Sequence, residues 1–401
     1  MVFIAWTIKD VKLYRSLFVE KDSSSSLITL RLSAYIYARL YNLNALAFWY
    51  VPFIASLIFI NKEARFQYDL RFYNKIKLSS RYLRNAEYLY LKLLNFHFPN
   101  SNTNTVVINT GTARLPEMII GNYFNKSSHL YWEAGIGGTI YFSKIGVNAD
   151  SDFRFSLKSD FVSKSKNALS ITKKPLRSNS KLEKLCKFIE MIYLLFCAVL
   201  LRNPELKELL PTNLIRLNKI KNVDTNDDFI LFVDQVEADT NSTHFGLDKF
   251  QIANLLSRIL FSYPVMSLIR RPHPRQFKTE ISSLLEIKFT NDFDIDNHTP
   301  LDVLISKSRL VVTVNSTVGI ECLLKGIPVL VLGSSYYDQL YGVLRKDSVL
   351  EYLKGEMMLD ANKISEAAEN LLNDSFIKLD YRGDKFFHVR GFEKFVMENF
   401  K

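Results

Sequence analysis

Residues 308–333, SRLVVTVNSTVGIECLLKGIPVLVLG, decide the fold class of this chain. The run at 310–314 (LVVTV) shows no polar–apolar alternation, so it reads as a strand buried on both faces. It ends in Asn315, Ser316 and Thr317, and a helical pattern opens at Val318-Gly319 and runs to about residue 325. Gly326-Ile327-Pro328 closes that helix, and 329–332 is a second apolar strand. Two such strands joined through a helix make a parallel β-α-β unit, because parallel neighbours need a crossover.

The same alternation extends toward the N-terminus. An apolar strand at 229–233 (FILFV) precedes a strong helical pattern at 247–261, and a strand at 265–269 ends in Arg270-Arg271-Pro272-His273-Pro274. A helix signal at 277–286, a strand at 287–290 and a helix at 300–307 lead back to the opening stretch. In the first half, 105–109 (TVVIN), the turn from Thr110 to Thr112 and a helical pattern at 115–123 repeat the strand–turn–helix unit. The first hundred residues otherwise read as mainly helical, and a further helix is expected at 182–201. Prolines, asparagines and mixed charge put the interdomain linker near 218–227. The expected domains are 1–220, 221–380, and a terminal helix at 381–401, carrying Phe386, Phe387, Phe392 and Phe395, that returns to the first domain.

The length of 401 residues suits two globular domains, and 48% hydrophobic with 23% charged residues excludes disorder. The net charge of +11 favours anionic partners, yet no nucleic-acid-binding motif accompanies it, so nucleic acid is not expected. Residues 158–187 hold nine Lys and Arg against two acids, which fits either a solvated loop or a patch for a membrane surface or a diphospholipid acceptor. Cys186, Cys197 and Cys322 form no CxxC pair or metal-ligand spacing, so neither disulfides nor a metal site are expected. The N-terminus does not read as a signal peptide. The apolar runs 45–60 and 188–201 are too short to span a bilayer and read as buried or interfacial helices. A cytoplasmic protein, peripheral at the inner membrane where it meets lipid, is the expectation.

Four segments could carry chemistry. Asn315-Ser316-Thr317 ahead of a helix places N–H groups and short hydroxyls where a nucleotide phosphate could sit, with Glu321 one turn in to accept from ribose hydroxyls; an ordinary helix cap is the plainer alternative. Arg271-Pro272-His273-Pro274 holds a histidine in an extended loop at a strand's carboxyl end, where ligands of open α/β sheets bind. Its alternative is a surface-loop histidine. After the strand at 229–233, Gln235 and three competing acids, Asp234, Glu237 and Asp239, offer a nucleophile or base and a side chain to orient it. Trp132-Glu133-Ala134-Gly135, before Gly137-Gly138, offers Glu133 as an acid or base near flexible backbone.

In order and spacing, 232–246 (FVDQVEADTNSTHFG), the RPHP loop and 308–333, with Tyr337 beyond, resemble the bacterial capsular-polysaccharide synthesis family, including its retaining β-Kdo glycosyltransferases. Residues 132–148 (WEAGIGGTIYFSKIGVN) are similar to an acidic-plus-glycine segment of that family. The histidine–proline and Ser-Thr pairs also resemble those of GT-B sialyltransferases. This resemblance implies a GT-B fold of two facing Rossmann-like domains, with the donor on the C-terminal domain and the acceptor glycan on the N-terminal one. It implies CMP-Kdo as the donor substrate, with His273, Ser316 and Thr317 on the phosphate, Glu321 near the ribose, and Asn315, Gln235 and Arg271 in the donor site. Asp239 would be the nucleophile and Glu133 the acid/base, and no metal or cofactor would be needed. Arg114, Arg270 and Arg271 are unranked candidates for the sugar carboxylate. The alternatives are an inverting sialyl or other nonulosonate transferase, a CDP-dependent polyol-phosphate transferase, and a non-catalytic nucleotide-sugar scaffold.

Overall fold

The computed structural model describes the chain except for residues 19–24, 59, 61–77, 101–102, 104, 110–113, 157–180, 202–228, 237–238, 275–283, 285–292, 296–298, 383–385 and 390–401. Two compact units emerge: Met1–Val147, Ser170–Pro211 and Phe376–Lys401 form the first, and Asn148–Leu169 with Thr212–Ser375 the second. This division differs from the expected 1–220, 221–380 and 381–401, because the chain leaves the first unit already at Asn148. Asn148 has a positive φ of 51°, a left-handed turn that asparagine adopts more readily than most residues. The expected linker near 218–227 and the strand at 287–290 lie outside the described residues.

The first unit starts with β1 (Val2–Ala5), α1 (Ile8–Phe18), β2 (Ser26–Thr29), α2 (Leu32–Leu40), β3 (Ala45–Ala47), α3 (Val51–Leu57) and α4 (Ser80–His97). It continues with β4 (Thr105–Asn109), α5 (Leu115–Tyr123), β5 (Ser128–Ala134) and β6 (Thr139–Ser143). The short α6 (Asp152–Ser156) belongs to the second unit, and α7 (Lys181–Leu201) returns to the first. Its eight strands run in the order β14-β13-β6-β5-β4-β1-β2-β3, with β14 and β13 described below. The β5–β4–β1–β2–β3 block is parallel, and β1, buried along its whole length, lies inside it. Among the described residues of the first hundred, helix outweighs strand as expected, but the three strands β1, β2 and β3 lie between the helices. Strands of three or four residues are too short to display a period, so only their apolarity shows in the sequence. The run 45–60 likewise divides into β3 and α3, with Pro52 in the helix's first turn, where its missing N–H costs nothing.

The second unit holds β7 (Phe229–Val233), α8 (Thr240–Phe245), α9 (Lys249–Ser262), β8 (Leu268–Arg271), β9 (Phe293–Ile295), α10 (Leu301–Lys307) and β10 (Ser308–Thr313). Then follow α11 (Val318–Leu323), β11 (Val329–Val331), β12 (Val343–Leu344), α12 (Val349–Lys354) and α13 (Ala361–Ser375). All its strand pairs are parallel, in the order β12-β11-β10-β7-β8-β9. Every residue of β7 and β11 is buried, as strands covered by helices on both faces require. Each unit is thus an α/β layer built on parallel strands, as a GT-B chain needs of each half.

The chain ends in β13 (Phe376–Arg382) and β14 (Phe386–Val389), an antiparallel hairpin that extends the first sheet beside β6. The terminal helix expected from residue 381 is corrected here to a strand as far as Val389, and the remainder lies outside the described residues. Ile377 to Arg382 alternate apolar and polar, the period of a half-buried strand, and that signal outweighs the phenylalanine spacing.

The carboxyl ends of β7 and β8 are joined by a buried ion pair. Arg270 donates from Nε and Nη2 to Asp234 Oδ2, at 3.0 and 2.6 Å, with both side chains wholly out of solvent. Removing one partner leaves a buried charge uncompensated. Arg270→Met should therefore cost about 3–5 kcal/mol of stability, seen as a lower urea midpoint with an unchanged slope. A variant as stable as wild type would show that the pair does not hold the strand ends together.

Candidate active site

The second sheet has a topological switch. From β7 the chain moves through α9 to β8 and on to β9 on one side, then crosses to β10, β11 and β12 on the other. The connections diverge at the carboxyl ends of β7 and β10, where open α/β sheets bind ligands. Asp234, Gln235 and Asp239 follow β7; Asn315, Ser316 and Thr317 follow β10; Arg271, Pro272 and His273 end β8 and the loop beyond it.

Gln235 links the two sides of the switch. Its Nε2 donates to Asn315 Oδ1 at 3.0 Å and to Asp239 Oδ2 at 3.2 Å, while its Oε1 accepts from the Asn315 amide at 3.3 Å. Asn315 Nδ2 in turn donates to the carbonyls of Asn241, at 2.9 Å, and Ser334, at 3.4 Å. Both amides are buried and spend themselves on protein partners, so these two residues hold the site's loops rather than facing its opening.

Of the three competing acids, Asp234 is committed to Arg270, and its Oδ1 accepts the Gln235 N–H at 2.9 Å. Glu237 lies outside the described residues. Asp239 occupies the N-cap position of α8, but its carboxylate caps nothing; the cap contacts are made by its carbonyl, which accepts from Thr243 N and Oγ1. The half-buried carboxylate is instead directed by Gln235. This separates Asp239 from an ordinary capping aspartate.

Ser316 Oγ accepts from Val318 N at 3.3 Å, and the exposed Thr317 makes no cap contact with its side chain. Tyr337 is wholly buried beneath this turn and donates its phenolic hydrogen to the Ser316 carbonyl. Burial holds that phenol far above its ordinary pKa, so it stays a donor. Gly319 leaves room for the ring, since a Cβ there would run into the Tyr337 hydroxyl and ring edge. Glu321 is exposed on α11, yet the desolvating surface beneath pushes its carboxyl upward, and Lys325 pulls it partly back. His273 is half-buried between buried Pro272 and exposed Pro274.

The three arginines separate clearly. Arg270 is locked to Asp234 inside the sheet and is not presented to a ligand. Arg271 donates from Nη1 to the Thr299 carbonyl at 2.7 Å, and Arg114, in the first unit, lies 5.4 Å over the Trp6 ring. Glu133, also in the first unit, ends β5 opposite Tyr141, whose hydroxyl donates to its carboxylate. The glycines after it build the β5–β6 turn, with Gly137 and Gly138 at φ of 58° and 81°. Sequence reasoning missed Arg154, which grips Asp338 with Nε and Nη2 at 3.0 and 2.7 Å and ties α6 to the loop after Tyr337. No local pattern foretells a partner 184 residues away.

Residues 212–377 match the family described as capsule polysaccharide biosynthesis protein. The matched stretch takes in every strand of the second sheet and the switch-point residues, so the resemblance of these motifs to that family is borne out there. The FixF protein of Sinorhizobium fredii (strain NBRC 101917 / NGR234) is 34% identical over 133 residues, which cover 32% of this chain and 32% of that relative. The aligned stretch is thus about a third of that relative's length. Among solved structures, the chain is similar to the Thermosulfurimonas dismutans KpsC β-Kdo 2,7 transferase at 18% identity and a TM-score of 0.42. That match covers 82% of this chain and 94% of the other. The β-Kdo 2,4 transferase of the same KpsC matches at 13% identity and a TM-score of 0.38, over 72% of this chain and 84% of the other.

Within the stretch that matches this family, the Tyr337–Ser316 contact shapes the turn. Tyr337→Phe keeps the ring against Gly319 and removes one of two donors to the Ser316 carbonyl, the Gly319 N–H at 3.0 Å remaining, so it should cost only about 0.5–1.5 kcal/mol. Gly319→Ala displaces the ring itself and should lower the melting temperature further. Equal melting temperatures for both variants and wild type would remove Tyr337 as the support of this turn.

Proposed function

We propose that this chain is a glycosyltransferase of capsule polysaccharide synthesis that moves Kdo from CMP-Kdo to an acceptor glycan, with retention. The observation that carries this reading is the Asp239 carboxylate, directed by Gln235 at the switch point and left unused as a helix cap. Asp239 attacks the anomeric carbon as the carbon–oxygen bond to CMP breaks and its electron pair leaves with the phosphate. His273 and the hydroxyls of Ser316 and Thr317 receive that phosphate, and Glu321 lies one turn along for the ribose. The charge on one phosphate is met by these groups without a metal.

In the second step the acceptor hydroxyl oxygen displaces Asp239 from the anomeric carbon. Its proton passes to Glu133, the acid/base that the family resemblance assigns. Two inversions give net retention. A lipid-diphosphate-linked glycan at the cytoplasmic face of the inner membrane is the acceptor this reading favours. Among the described residues no helix is long and apolar enough to cross a membrane.

Asp239→Ala should abolish transfer while CMP binding, measured by calorimetry, persists. Replacing Ser316 and Thr317 together by Ala should weaken CMP binding, each lost hydrogen bond to a charged group costing roughly 1.5–3 kcal/mol. Mass spectrometry of protein incubated with CMP-Kdo should find a Kdo adduct on the peptide containing Asp239. An adduct on Glu133 would exchange the two roles. Substantial turnover by the Asp239 variant would overturn the nucleophile assignment. An inverted product with no adduct would make the chain an inverting nonulosonate transferase.

A further inference from the structure

Helix α7 presents two opposite faces, and among the described residues the inward one carries the ion pairs to the first unit. On the inward face Glu183 is paired with Lys12, in a contact where both side chains are almost wholly buried. One turn further on but one, Glu190 accepts from Arg31 Nε and Nη2 at 2.9 and 2.7 Å and from Ser33 Oγ at 3.0 Å. Cys186, Leu194 and Cys197 are buried on the same side. These contacts fix which way the helix faces, because rotating it would strip two buried carboxylates of their cations.

The outward face is apolar. Leu185, Phe188, Ile189, Ile192, Leu195 and Phe196 are exposed by 54, 53, 38, 53, 41 and 57%. Their spacing puts them on one continuous stripe of the helix surface. Scattered exposed apolar residues need no explanation, but a contiguous stripe of six large ones marks a contact surface. At the amino-terminal end of this stripe stand exposed Lys181 and Lys184, whereas Lys187 lies 3.9 Å from Glu183 on the inward side.

We propose that α7 is the membrane-docking element of this chain, lying flat on an anionic lipid surface with this stripe in the interface. Two observations favour lipid over a protein partner. Protein interfaces anchor on tyrosine, tryptophan and arginine, whereas the stripe holds only leucine, isoleucine and phenylalanine. Its polar border is cationic at one end, which complements lipid phosphate, in a chain of net charge +11. The helix lies on the surface rather than crossing it, because Glu183 and Glu190 are tied to the first unit. The inference is independent of the donor and of the transfer chemistry.

The test is co-sedimentation of the full chain with vesicles of phosphatidylglycerol and phosphatidylcholine, beside vesicles of phosphatidylcholine alone. Wild type should bind the anionic vesicles, and less so as salt rises. The triple variant Phe188→Ser, Ile192→Ser, Phe196→Ser should lose at least roughly tenfold in partitioning. Its melting temperature should hold, since the replaced side chains are exposed. A second variant, with Lys181 and Lys184 changed to Gln, should bind more weakly and with less dependence on salt. Wild type that stays in solution, or a triple variant that binds as wild type does, would overturn the proposal. So would a wild-type dimer that the triple variant converts to monomer, which would assign the stripe to a second copy of the chain.

Discussion

A charge buried at the carboxyl end of a sheet strand must meet its counter-charge there, and the Asp234–Arg270 pair answers that constraint between β7 and β8. Its consequences extend along the backbone. Asp234 also accepts the Gln235 N–H, and its own N–H donates to the Arg271 carbonyl, so the chain leaves β7 in one defined direction. Gln235 then reaches across the switch to Asn315 and down to Asp239. Asn315 passes the same restraint to the Asn241 and Ser334 carbonyls. Each amide in this chain has both ends used, which stiffens the site, since any displacement would leave a buried polar group unsatisfied.

Two close backbone approaches complete the frame. Gly246 and Gly333 form an isolated antiparallel bridge, and a side chain at either would collide with the backbone around Ser242 or Phe245. The loop bearing Asp239 is therefore pressed against the segment after β11. Chemistry carried by a loop needs such support, because loops are otherwise the mobile part of an α/β layer.

In the first unit the same physics sets the orientation of a helix. The ion pairs of Glu183 and Glu190 each join α7 to a distant part of the chain, at Lys12 and Arg31. A hydrophobic helix with carboxylates at two inward positions has one rotation that satisfies them, and that rotation determines which apolar residues remain outside.

Long apolar strands, helix starts and turn residues were legible directly from the sequence. The alternation from 229 to 333 specified a parallel sheet, because a strand buried on both faces has no polar residue to interrupt it and its neighbour requires a helical crossover. The order of the glutamine, histidine and Ser-Thr motifs likewise placed the candidate site at strand ends. The short strands β1, β2 and β3 stayed hidden, since three or four residues carry no period and only their neighbours in the sheet define them. Local spacing equally left Asp234, Glu237 and Asp239 equivalent, and made Arg270 as available as Arg271. Tertiary structure alone locked Asp234 to Arg270 inside the sheet, set Asp239 beside Gln235 and turned Arg271 to the Thr299 carbonyl, because burial and the direction of a hydrogen bond depend on residues brought together across the sheet.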